Sequence, residues 1–111
     1  MRLEQRMFAP GEILYCPELL YVEVTHTFRR YVFNRSVAVL RAEAALRDLL
    51  DLRVNHFPHG LVITRVWELR NSLTAYDAMY VAMAETLDAP LITCDRKIAS
   101  APGHHAQVEL F

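Results

Sequence analysis

The stretch Leu73–Lys97, LTAYDAMYVAMAETLDAPLITCDRK, decides the fold class. Thr74 predicts a helix start, because its hydroxyl can accept one of the free N–H groups of a first turn. Asp77, three residues on, stands where a capping box carries Glu. Tyr76, Tyr80, Met83 and Leu87 recur at helical spacing and predict a buried stripe. Asp88-Ala89-Pro90 ends the helix, since proline has no amide hydrogen to continue it. Leu91-Ile92-Thr93 then reads as a short strand buried on both faces. Asp95 follows at its carboxyl end, the edge at which α/β sheets bind ligands.

Outward from this core the pattern repeats. Upstream, Met1–Pro10 reads as the tail of a helix and a turn, broken at Pro10-Gly11, and Glu12–Tyr15 as a strand. Pro17 suits the first turn of a helix that runs to Asn34, with Leu20, Val24, Phe28, Tyr31 and Val32 at helical spacing. Ser36 is the expected N-cap of a second helix to about Leu52, with Leu46, Leu49 and Leu50 inward. Arg53–Phe57 reads as a strand, and Leu61–Arg70 as a helix with Val62, Val66 and Leu69 inward. Downstream come a helical turn at Arg96–Ala101 and a last strand at Gln107–Leu110. Strands alternating with helices predict an α/β fold with a mainly parallel sheet.

Composition narrows the function classes. A chain of 111 residues is one domain, and 53% apolar residues predict a well-buried core. The net charge of −1 argues against broad phosphate binding through a basic face, but not against an enzyme that holds phosphate through metal ions. Two cysteines, Cys16 and Cys94, make neither a disulfide framework nor a CxxC pair, and suit a reduced cytosolic setting. No signal peptide, lipidation motif or apolar run of membrane length is visible, so a cytoplasmic protein with no membrane partner is expected.

Three carboxylates sit in unusual places. Asp95 is at a strand end, Asp77 is in a first helical turn where the dipole favours an anion, and Glu23 lies among Leu19, Leu20, Val22 and Val24. Each has an ordinary alternative: Asp77 as a cap, Asp95 as a turn residue, Glu23 as a partner for Arg30. If the three converge, they require neutralising cations, and all-oxygen ligation suits Mg²⁺ or Mn²⁺ rather than zinc.

These stretches resemble a known family. Leu73–Glu85 is similar to the YDA-x-YVALAE helix of PIN domains, and Pro90–Lys97 to the strand end that follows it in that family. Cys16–Val24, CPELLYVEV, looks like the helix that supplies the family's glutamate. The resemblance, to PIN-domain ribonuclease toxins of the VapC type, covers about Gly11 to Phe111. It implies a PIN-like three-layer fold and a metal-dependent endoribonuclease. Glu23, Asp77 and Asp95 would be both catalytic and metal-ligating, with Mg²⁺ (or Mn²⁺) as cofactor. It further implies supporting roles for Thr93, holding a carboxylate or water, and for Arg96 at the phosphate. Implied partners are an RNA substrate, a VapB-type antitoxin and a second copy in a homodimer.

The family pattern begins with a central strand bearing a fourth acid, an aspartate, and nothing of that kind precedes Glu12. The expectation is therefore a single PIN-like domain over residues 1–111 that is N-terminally incomplete, through a misplaced start or a chain cut short. The alternative function is a catalytically impaired PIN scaffold that only binds RNA or an antitoxin. A third reading, a helical interaction protein, requires the three acids to be scattered.

Other residues attract plainer readings. His104-His105 is expected to be a loop, Cys94 a small apolar strand residue, Arg29-Arg30 a solvated helix end, and Trp67 a packing residue.

Overall fold

The computed structural model describes all 111 residues. In chain order the elements are α1 (Leu3–Met7), β1 (Tyr15–Pro17), α2 (Leu19–Phe33), α3 (Val39–Asp51), β2 (Asn55–Phe57), a 3₁₀ turn (His59–Leu61), α4 (Ile63–Glu68), α5 (Ala75–Leu87), β3 (Leu91–Thr93), α6 (Arg96–Ser100) and β4 (Val108–Leu110). The strands form two parallel pairs. β1 lies beside β2, with Cys16 opposite His56, and β3 lies beside β4, with Ile92 opposite Glu109. Parallel strands joined through helices make this an α/β protein, as the alternating pattern requires.

The core forms around α5. Ala78, Val81 and Ala82 are wholly buried there, and Met79, Met83 and Ala84 nearly so, against Val62, Val66 and Leu69 of the α4 region and Leu91 of β3. Alanines let neighbouring elements approach α5 from most directions, so the helix has no single wet face. The stripe expected from periodicity holds at Met83, which is buried, and at Tyr80 and Leu87, which pack on the core, but fails at Tyr76, 62% exposed, while Met79, off the stripe, is buried.

Elsewhere burial is thinner than the apolar composition predicts. Only 15 of 111 residues are buried, and the radius of gyration is 15.0 Å against about 13 Å expected for this length. Val22 and Phe33 of α2 and Val39, Leu40 and Leu50 of α3 remain exposed, so Leu50 does not point inward as expected.

β1 and β3 each have one partner only, and both line an apolar slot of about 390 Å³ bounded also by Leu3, Met7, Leu49 and Leu87. Each therefore has an edge with no strand beside it. Arg6 braces one side of the slot: its guanidinium donates to Glu109 of β4 at 2.7 and 3.1 Å and to Glu12 at 2.6 Å, tying α1 to the last strand.

Several element boundaries differ from the sequence reading. The first strand is Tyr15–Pro17 rather than Glu12–Tyr15, because its register is set by β2, 40 residues away. Pro17 ends this strand instead of opening the helix. Ser36 caps nothing. Its N–H donates to Asn34 Oδ1 at 3.0 Å, and α3 starts three residues later behind Ala38. Trp67 is 66% exposed, with the Arg70 guanidinium 4.6 Å above its ring, so it is not a packing residue. Cys94 lies beyond the end of β3 and is exposed, whereas Cys16 is buried.

Candidate active site

Three elements bring the acids to one concavity. α2 begins directly after β1, and its first turn is fixed by the Leu19 N–H, which donates to His59 Nε2 at 3.3 Å. Glu23 follows one turn later. α5 is capped by Thr74, whose hydroxyl accepts the Asp77 N–H at 3.2 Å. Asp77 is thus not the cap. Its carboxylate takes no hydrogen bond from the protein, in the turn where the helix dipole favours an anion. Asp95 caps α6: Oδ1 accepts the Lys97 N–H at 2.9 Å, while the Asp95 N–H donates to Thr93 Oγ1 at 3.0 Å. One oxygen of Asp95 is held by backbone and the other is available.

Glu23, Asp77 and Asp95 line a single cavity of about 390 Å³, together with Thr27, Tyr80, Thr93 and a floor of Leu20, Val24, Leu91, Ile92 and Ile98. No lysine, arginine or histidine lines it. The ion pair between Glu23 and Arg30 does not form, and none of the three acids belongs to any ion pair of the chain. Glu23 instead accepts a hydrogen bond from the Tyr80 hydroxyl, which links α2 to α5. Burial, and then the Glu23 carboxylate, push the Tyr80 phenol well above its ordinary range, so it stays protonated and donates.

Thr93 serves Asp95 through its backbone N–H rather than its carboxylate. Arg96 is exposed, lies immediately after Asp95, does not line the cavity and makes no ion pair. Tyr80 is the residue missed by sequence reading, which took it for core. The available signal was its place three residues after Asp77 on the same helix face, together with the need of a half-buried phenol for a polar partner.

Carboxylate and hydroxyl oxygens walled by apolar side chains are donors of the kind chosen by Mg²⁺ or Mn²⁺. No three acidic, histidine or cysteine side chains come together tightly enough to enclose an ion by themselves. Mg²⁺ does not require that. It keeps several of its waters and binds through one or two carboxylates. The donor set therefore fits such a cation.

Comparison with known proteins decides the family. The PIN-domain family model matches residues 2–103. The chain belongs to the PIN-domain family. Among curated relatives, it is 43% identical over 95 residues to Ribonuclease VapC1 of Mycobacterium tuberculosis, covering 85% of this chain and 71% of that protein. It is 35% identical over 100 residues to Ribonuclease VapC12 of the same organism, covering 90% and 78%. With Ribonuclease VapC9 it shares 32% over 96 residues, covering 86% and 76%. This PIN domain is thus homologous to VapC ribonucleases. No helix in it is long and apolar enough to cross a membrane.

The remaining histidines lie apart from the cavity. His104 Nε2–H donates to the Ile98 carbonyl at 3.0 Å, and its Nδ1 accepts the Ala106 N–H at 3.2 Å. Its neighbour His105 lies 3.3 Å from Glu85. They staple the loop before β4, and neither lines the acidic cavity.

Proposed function

We propose that this chain is a metal-dependent endoribonuclease acting as the toxin of a VapBC-type pair. The observation that carries this reading is the cavity that Glu23, Asp77 and Asp95 line together with no basic residue in the lining. An RNA phosphate cannot approach three such carboxylates unaided, and a divalent cation held by them would offset the repulsion. Glu23, Asp77 and the free oxygen of Asp95 would hold Mg²⁺ or Mn²⁺. Bound there, the ion would supply an activated water for attack on the phosphodiester and would stabilise the leaving oxygen.

The chain's own groups do the rest. Thr93 and Lys97 fix Asp95 through the backbone, and the apolar floor limits competing water. Arg96, exposed immediately after Asp95 and outside the cavity lining, would meet the backbone phosphate from the rim. A VapB-type antitoxin would block the acidic groove, and the exposed apolar faces of α2 and α3 suit a homodimer in the cytoplasm. The slot lined by β1 and β3 offers strand edges without a partner, to which a further strand would pair.

The test is the rate of cleavage of an RNA oligonucleotide as Mg²⁺ is titrated. Saturable dependence, abolished by chelation, is expected. Cleavage that proceeds equally in chelator contradicts the reading.

A further inference from the structure

We infer that Tyr80 is a positioning residue of this site, whose hydroxyl fixes the Glu23 carboxylate toward the space it shares with Asp77 and Asp95. The inference rests on the metal-dependent reading above and deepens it.

Tyr80 and Glu23 are 57 residues apart in sequence and meet where α5 and α2 both rest against β1. Tyr80 follows Asp77 by three residues, so the two side chains project from adjoining positions on one face of α5. Both line the acidic cavity, as does Glu23. One helix thus provides an acid directly and, one turn on, the donor that orients a second acid from another helix. No other protein side chain bonds to the Glu23 carboxylate, so the phenol alone restrains a long side chain that would otherwise sample several rotamers.

A hydroxyl is suited to the task. It donates a single hydrogen bond to Oε1 and leaves Oε2 available. It carries no charge that would compete with a cation, as an arginine in its place would. The ring of Tyr80 also borders the apolar slot between β1 and β3, so packing in the slot bears on the same phenol. Removing a hydrogen-bond donor that orients a metal-holding carboxylate typically changes metal affinity by about 10–100-fold.

The experiment is a double-mutant cycle read by Mn²⁺ binding, followed through the paramagnetic resonance of the free ion, with no turnover required. Tyr80→Phe is expected to weaken Mn²⁺ binding about tenfold in the otherwise unchanged chain. It is expected to have no effect in a Glu23→Gln background, where the group it orients no longer ligates strongly. A merely structural role predicts the same loss in both backgrounds, and that result overturns the inference. Unchanged affinity in Tyr80→Phe overturns it too. Where either overturning result is found while Mn²⁺ still binds the unsubstituted chain and Asp95→Asn weakens it, the metal reading stands and only the role of Tyr80 falls. If the unsubstituted chain binds no Mn²⁺, both fall. Should Tyr80→Phe not fold, proton NMR of the unsubstituted protein decides. A slowly exchanging Tyr80 hydroxyl with a contact to the Glu23 γ-protons supports the inference, and a freely exchanging one without that contact overturns it.

Discussion

Asp95 Oδ1 accepts the backbone N–H of Lys97 at 2.9 Å, so the carboxylate nearest the end of β3 is also the N-cap of α6. Cap and charge can be separated by substitution. Asp95→Asn keeps an oxygen acceptor and removes the charge, whereas Asp95→Ala removes both. Asparagine caps as well as aspartate, and alanine costs about 1 kcal/mol at such a position. Both variants are expected to lose RNA cleavage, but only Asp95→Ala should melt measurably lower. Thermal melts and cleavage rates on the same samples check this. Full activity in Asp95→Asn would remove Asp95 from the proposed site.

Stability against acid should rest on a different carboxylate. Arg65 holds Glu85 with two nitrogens, at 2.8 and 3.0 Å, and the His105 N–H adds a third hydrogen bond at 2.8 Å to a side chain only 5% exposed. These contacts, Arg65 foremost, hold the Glu85 carboxyl below its ordinary value of 4.5. Its folded pKa is depressed, so its contribution is present above the unfolded value and is lost as pH falls through the folded one. Glu109, held down by Arg6, acts in the same direction. Urea midpoints are expected to be flat above about pH 5 and to fall below that. Glu85→Gln should cost about 2 kcal/mol near neutrality and make the acid limb shallower. An equally steep limb in that variant would show that other groups set it.

The slot between β1 and β3 makes a prediction about assembly and rate. Two strand edges without partners are open to pairing with another chain. The 111-residue chain is expected to melt lower and to cleave RNA more slowly than a version carrying an additional apolar, aspartate-bearing strand ahead of Met1. Equal melting temperatures and equal rates would mean that the slot needs no strand.

How much of this was legible in the sequence depends on the distance over which each feature is decided. Thr74, Asp77, Pro90 and Asp95 lie within one local helix–strand unit, and their capping and breaking chemistry gives α5, β3 and α6 within a residue or so. Val62, Val66 and Leu69 were readable as inward for the same reason. β1 was not, because a three-residue strand takes its register from β2 rather than from its own apolar residues. Periodicity on α5 was right at Met83, Tyr80 and Leu87 but misplaced Tyr76 and missed Met79. It assumes one buried face, whereas the alanines of this helix admit neighbours around most of it. In the cavity, Asp77 and Asp95 stand out by position. Glu23 was singled out by its apolar neighbours and by the family resemblance, and its bond to Tyr80 is invisible because it depends on how α2 meets α5.

The account's central claim is that Glu23, Asp77 and Asp95 act as one metal-holding unit, and RNA cleavage by single and double variants tests it most directly. Glu23→Gln, Asp77→Asn and Asp95→Asn are each expected to slow cleavage by about 100-fold or more at saturating Mg²⁺, and any pair to be little worse than its worse member. Groups that serve one step together are grossly non-additive. Losses that multiply in the double variants, or a single variant that cleaves at the rate of the unsubstituted chain, would contradict the claim.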